Sequence, residues 1–201
     1  MAYATTALVK TFLSITSNAD DTLIGTLITR AQAVIDNYTH RTFEVTSDTT
    51  KVFDSMLDVR GTYRTLLLFN EGLELAAAPT TITNGDLVVL VLNTDCVTLP
   101  ANTAPFYGLE MLRSTSNQWT QTAAGDTQRA ISIVGKWGYS TSAPADIVAA
   151  TIRLVSYMYR QRESNTDLDR AVSVADGMVL LPANMPNDVI TMLAPYKRFA
   201  V

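Results

Sequence analysis

The sequence holds a single cysteine, Cys96, and a single histidine, His40. One cysteine excludes a disulfide scaffold, and the pair together falls short of the three or four closely spaced ligands of a zinc site. A histidine-based triad or acid–base pair would depend on His40, and nothing locates a nucleophile and an orienting carboxylate beside it. It reads as a surface or helix-end residue. No stretch approaches the roughly 18 uninterrupted apolar residues of a membrane helix. The opening MAYATTALVKTFLS lacks the basic start and apolar run of a secretory signal. The expectation is a soluble chain made in the cytosol, with no membrane association.

Charge is scarce as well. Fifteen basic and nineteen acidic residues leave a net charge of −4, and charged residues are 17% of the chain. Lys197-Arg198 is the only adjacent basic pair. A groove that tracks nucleic acid needs a concentrated positive field, because its affinity comes from neutralising several phosphates at once. Direct nucleic-acid binding is therefore disfavoured as the main task. The uncharged polar surface must be Thr, Ser and Asn, which is cheap to desolvate against a partner, and this favours assembly.

Motifs for phosphate chemistry are missing too. There is no GxxxxGK[ST] loop and no strand–GxGxxG–helix unit. Gly135-Lys136-Trp137-Gly138 continues an alternating strand pattern, so its glycines fit a bend or close packing. The acidic pairs Asp20-Asp21, Asp167/Asp169 and Glu71/Glu74 lie at a helix start or in loops, where capping and solvation account for them. Cys96 reads as a half-buried strand residue. No catalytic, cofactor-binding or metal-binding residue is assigned, no cofactor is called for, and the chain is read as a non-enzyme.

What is present is a core-sized amount of apolar sequence: 47% of 201 residues, enough to fold without covalent staples. Three zones follow one another. From Thr5 to Thr42 the pattern is helical. A short helix is marked by Ala7, Leu8, Phe12 and Leu13 behind the capping residues Thr5 and Thr6. A longer one follows, with a stripe of Leu23, Ile24, Leu27, Ile28, Ala31, Val34, Ile35 and Tyr38. Gly25 inside it costs about 1 kcal/mol relative to Ala, which suggests close approach of another helix.

From Phe43 to Ser140 short β-type runs alternate with turn signals: 51–54, 64–69, 73–77, 87–92, 109–113 and 130–139. Asn84-Gly85 is a hairpin signal, and Ile131, Ile133, Gly135 and Trp137 fall on one face of a strand. This zone reads as a small antiparallel sheet, sandwich or barrel. The third zone returns to helix at Pro144. Apolar residues from Ile147 to Tyr159 cover so wide an arc that this helix is either central to the domain or pressed against another chain; the assembly reading prefers the latter. After an irregular 163–185 segment, a last short helix follows Pro186, with Val189, Ile190 and Leu193 as anchors and Pro195 ending it.

Tyrosine and arginine, the residue types enriched at contact hot spots, cluster twice. Arg153, Tyr157, Tyr159, Arg160 and Arg162 share one segment; Tyr196, Lys197, Arg198 and Phe199 share the other. These nine are the expected subunit or partner contacts.

The segments ADDTLIGTLITRAQAVIDNYTHRTF, ISIVGKWGY, APADIVAATIRLVSYMYRQRE and MPNDVITMLAPYKR, in that order, resemble the head–tail connector family of tailed bacteriophages, the adaptor or head-completion proteins. The likeness is clearest over 5–43 and 129–163, with a further match at 186–198. It implies an α+β fold: a helical connector core (1–43 and 141–201) carrying an inserted antiparallel β subdomain (44–140). It also implies a structural, non-enzymatic virion protein of the neck, assembled in the host cytoplasm. Its expected partners are its own copies in a dodecameric ring, the portal protein above, and a downstream neck, stopper or tail protein. DNA would pass through the lumen without sequence-specific binding. The position before Arg41, often glycine in the family, is His40, so the helix exit is expected to differ. The alternatives are a stopper-like tail-completion protein and a β-rich binding module.

Overall fold

The computed structural model describes residues 2–61, 63–70, 72–115, 117–163, 172–173, 179–180 and 185–198. The fold is α+β, and the chain divides into two compact units. One is Thr42–Ser142; the other combines Ala2–Arg41 with Ala143–Phe199.

The second unit is helical. Helix α1 (Thr6–Leu13) starts where the Thr5 side chain accepts the Leu8 N–H, the expected cap. Val9 is its buried residue, while Leu8 and Phe12, two of the apolar positions that mark it in sequence, are exposed. Helix α2 (Asp21–Thr39) buries Ile24, Ile28, Ala31 and Ile35, the centre of the expected stripe. It exits through His40 in the left-handed conformation (φ 55°, ψ 37°). That is the geometry a C-terminal glycine usually supplies, adopted here by a histidine. A Cβ at Gly25 would meet nothing within 4 Å, so among the described residues no other helix approaches there, contrary to expectation.

Helix α3 (Ala145–Glu163) is the centre of the unit. Helices α1, α2 and α4 (Asn187–Leu193) all pack on it. Ile147, Ala150, Leu154 and Val155 are fully buried, and no described apolar residue of α3 is among the exposed large ones. The breadth of its apolar arc is thus explained by three helices of its own chain, which corrects the expectation that a neighbouring copy covers it. Thr151 and Ser156 sit within that buried arc. Each donates its hydroxyl to a carbonyl four residues back, Ile147 and Ile152, both at 2.7 Å, which removes the cost of burying them unpaired. A 3₁₀ turn, Ala194–Tyr196, follows α4.

The first unit is built from two four-stranded antiparallel sheets. The first has the order β1 (Thr49–Phe53), β8 (Ile131–Gly135), β4 (Thr81–Thr83), β5 (Val89–Leu90). The second has the order β2 (Val59–Arg60), β3 (Leu66–Leu68), β7 (Gly108–Met111), β6 (Cys96–Leu99). Their apolar faces share one core, in which Leu67, Leu75, Ile82, Leu109, Met111, Trp119, Ile131 and Ile133 are buried. Phe53, Phe69 and Trp137 form an aromatic group with centroids 5.0–5.6 Å apart. Both indoles reach a backbone acceptor at 2.9 Å, Trp119 at Thr65 and Trp137 at Thr49, so neither buried N–H is left unpaired. A further antiparallel pair, β9 (Val172–Ser173) and β10 (Val179–Leu180), lies in the segment before α4.

Asn84-Gly85 does lie in a hairpin, between β4 and β5, but the residue there with positive φ is Leu87 (66°). Gly85 is required for another reason: a Cβ at this position would collide with the carbonyl oxygen of Thr120. The Asn84 side chain completes this junction, donating to the Gln118 carbonyl at 2.9 Å and accepting the Thr120 N–H at 3.0 Å.

Candidate interaction surfaces

The nine expected contact residues do not form one cluster. Five lie along α3 and four at the chain end. Arg153 Nε donates to Asp188 Oδ2 at 2.6 Å, tying α3 to α4. This pair, with two backbone N–H groups, holds the Asp188 carboxyl below its ordinary value. Tyr159 is buried and donates its hydroxyl to Asp20 Oδ2 at 2.8 Å. Tyr157 is half-buried and Arg160 exposed on the same helix. Arg162 belongs to α3 by its backbone, but its side chain, like all of Phe199, lies outside the described residues.

The C-terminal group sits at the other end of α3. The Tyr196 hydroxyl donates to Asp146 Oδ2 at 3.2 Å. Lys197 Nζ stands 5.0 Å from the centroid of the Tyr38 ring, and the Arg198 N–H donates to the Thr39 carbonyl at 2.9 Å. The segment is thereby fastened to the end of α2 and the start of α3. Asp146 and Arg160 are separated by about 20 Å along the helix, at ~1.5 Å per residue. The structure therefore offers two surfaces at the ends of one helix rather than a single patch.

Two further anchors lock the unit. Tyr3 donates to Asp36 Oδ1 at 2.6 Å; burial raises the Asp36 carboxyl above its ordinary value, and the tyrosine opposes this. Lys10 Nζ reaches Asn18 Oδ1 at 2.6 Å and Asp21 Oδ1 at 2.8 Å. Among the described residues, no group of three or more His, Cys, Asp or Glu could hold a metal ion, and no helix is long and apolar enough to cross a membrane. Cys96 is fully buried, more so than expected, with its thiol pushed up to about 11 by burial and by Asp95; a thiol held protonated is a poor nucleophile.

Sequence reasoning missed a third surface. Leu87, Val88, Val89 and Val91 are all exposed, on and beside β5. The signal was available: the run Leu87–Leu92 has neither charge nor proline, the usual guards of a sheet edge.

The likeness to a known family falls on α1, α2 and the chain leading into the β unit. Residues 3–59 match the family described as phage gp6-like head-tail connector protein. The resemblance to head–tail connectors thus stands on α1, α2 and the first strand. A solved chain from the neck of an empty GTA particle, computed with C6 symmetry, has the same fold. Its TM-score is 0.57 at 14% identity, covering 98% of this chain and 90% of that one. A chain from the neck of a native GTA particle, computed with C12 symmetry, gives a TM-score of 0.49 at 15% identity, covering 90% of this chain and 85% of that one. No curated protein matches.

Proposed function

We propose that the protein is a structural head–tail connector, a non-enzymatic component of the neck of a phage or phage-like particle. The observation that carries this reading is the connector-family match over residues 3–59. The shared fold with a neck chain over 98% of this protein supports it. Copies assemble head to tail into a closed ring, the arrangement that heterologous contacts give when the rotation closes; twelve copies is the number the family suggests. The ring docks against the portal, continues the DNA channel, and offers its far side to the next neck, stopper or tail protein. With a net charge of −4, the protein supplies little positive field to retard passing phosphates.

Docking draws on the two ends of α3: Arg153, Tyr157, Tyr159, Arg160 and Arg162 toward its C-terminal half, and Tyr196, Lys197, Arg198 and Phe199 at the chain end. Tyr159 and Arg153 act by fixing the surface, through Asp20 and Asp188. Arg160 and Lys197 are exposed and make the contact itself. Mixing the purified protein with the portal protein of its own particle tests this. A co-migrating ring complex is expected, weakened about tenfold or more by Arg160→Ala combined with Lys197→Ala, since arginine at a contact centre commonly carries over 1 kcal/mol. Failure to bind portal or assemble at high concentration contradicts the reading.

A further inference from the structure

We infer that adjacent copies meet by strand addition, β5 of one copy against β1 of the next, so that the first sheet runs on from subunit to subunit. The inference rests on the ring reading above and names the contact that closes it.

The edges are the starting point. In the order β1-β8-β4-β5, every neighbouring pair is antiparallel. With four strands, the two edge strands therefore run in opposite directions. A second copy in the same orientation presents its β1 antiparallel to β5, and the alternation continues unbroken. A sheet with an odd number of strands would not extend itself in this way.

The side chains fit that continuation. On the outer face a row runs across the sheet through paired positions, Val52↔Ser132, Ser132↔Thr83 and Thr83↔Val89. It begins and ends in valine, and both ends are open: Val52 is 40% and Val89 58% exposed. Placing Val89 opposite Val52 of the next copy makes a β-branched cross-strand pair, a favourable one on an antiparallel sheet. Beside it Leu87, Val88 and Val91 are 79%, 51% and 56% exposed, an apolar stretch without charge or proline. The Val91 N–H and carbonyl are taken by Asp95 Oδ2 and by the Thr94 and Asp95 N–H groups, so the added strand bonds through Val89.

Charge selects the same register. With Val89 opposite Val52, Lys51 of the second copy falls opposite Leu90, next to Val91. The Val91 N–H is held by Asp95 Oδ2 at 2.8 Å, and Asp95 Oδ1 accepts from Asn117 at 3.1 Å. This carboxylate is fixed at the edge by neutral donors, ready for a cation. Lys51 is exposed at the opposite edge of the sheet. A lysine on an edge strand normally repels another strand; opposite Asp95 it admits one and rejects others. In the second sheet the edge strands β2 and β6 hold no exposed large apolar residue themselves, although Met56 and Leu57, 70% and 67% exposed, precede β2.

The test is disulfide trapping on rings formed by the purified full chain, with Cys96→Ser as background. A Val52→Cys, Val89→Cys double variant is expected to give a ladder of covalent multimers on mild oxidation. Each single variant should stay monomeric on a denaturing gel, and mixing the two singles should give a dimer. Val89→Lys should raise the concentration for half-assembly by about tenfold, with Lys51→Glu acting alike and Lys51→Glu with Asp95→Lys restoring assembly. Rings that form without a ladder overturn the inference and leave the ring reading standing. A Val89→Cys homodimer indicates a two-fold contact and overturns it. Val89→Lys rings that assemble normally but no longer hold another virion protein assign the edge to that protein and overturn it. No rings under any condition overturn both.

Discussion

The hydroxyl of Tyr159 lies 2.8 Å from Asp20 Oδ2, joining the C-terminal half of α3 to the residue just before α2. This bond spans the entire β unit in sequence, so it forms only when Ala2–Arg41 and Ala143–Phe199 come together as one unit. Tyr159→Phe should keep the packing of the ring and lose the bond, costing about 1.5–3 kcal/mol, the range for a hydrogen bond to a charged group. A urea titration reads this as a lower midpoint with an unchanged slope.

Two glycines should respond in opposite directions. Gly85→Ala forces a methyl into the Thr120 carbonyl and should destabilise the protein by about 1–3 kcal/mol. Gly25→Ala meets nothing within 4 Å in the middle of α2 and should stabilise it by about 0.8–1 kcal/mol through helix propensity. Thermal unfolding of the two variants beside the parent protein checks the pair.

Acid titration should show two opposed contributions from the helical unit. The Asp188 carboxyl is held low, chiefly by Arg153. Its stabilisation is present above the ordinary carboxylate value and is lost as pH falls through the depressed one. The Asp36 carboxyl is raised by burial. Its protonated form favours the fold, so this contribution is present below the ordinary value and is lost as pH rises through the raised one. Asp36→Asn should therefore flatten the fall in stability above pH 4 and leave the neutral-pH protein at least as stable. Arg153→Ala should remove part of the loss at lower pH. Denaturant midpoints followed from pH 3 to 7 separate the two.

The helices were legible because their apolar periods are strong: Ile24, Ile28, Ala31 and Ile35 in α2, and Val189 and Leu193 in α4, are buried where the pattern puts them. The β zone was legible in kind but not in detail. β4 is three residues long and β6 four, too short for alternation to announce them. The run 73–77 reads as a strand yet makes only single bridges, Leu75 to Phe106 and Leu75 to Trp137. Leu75 is an isolated crossing between two partners, a tertiary fact with no periodic trace. The wide arc of α3 was seen correctly and attributed to the wrong neighbour. Periodicity reports how much of a helix is covered and is silent on whether the cover belongs to the same chain. The side-chain anchors were hardest to read, since Tyr159, Arg153 and Tyr196 find aspartates far away in sequence.

The account is tested most directly by imaging purified particles carrying a dense label fused to this chain and averaging about the neck axis. It predicts label in a closed ring between portal and tail. Label confined to tail fibres or the capsid shell, or particles that join head to tail normally in the absence of the protein, would contradict it.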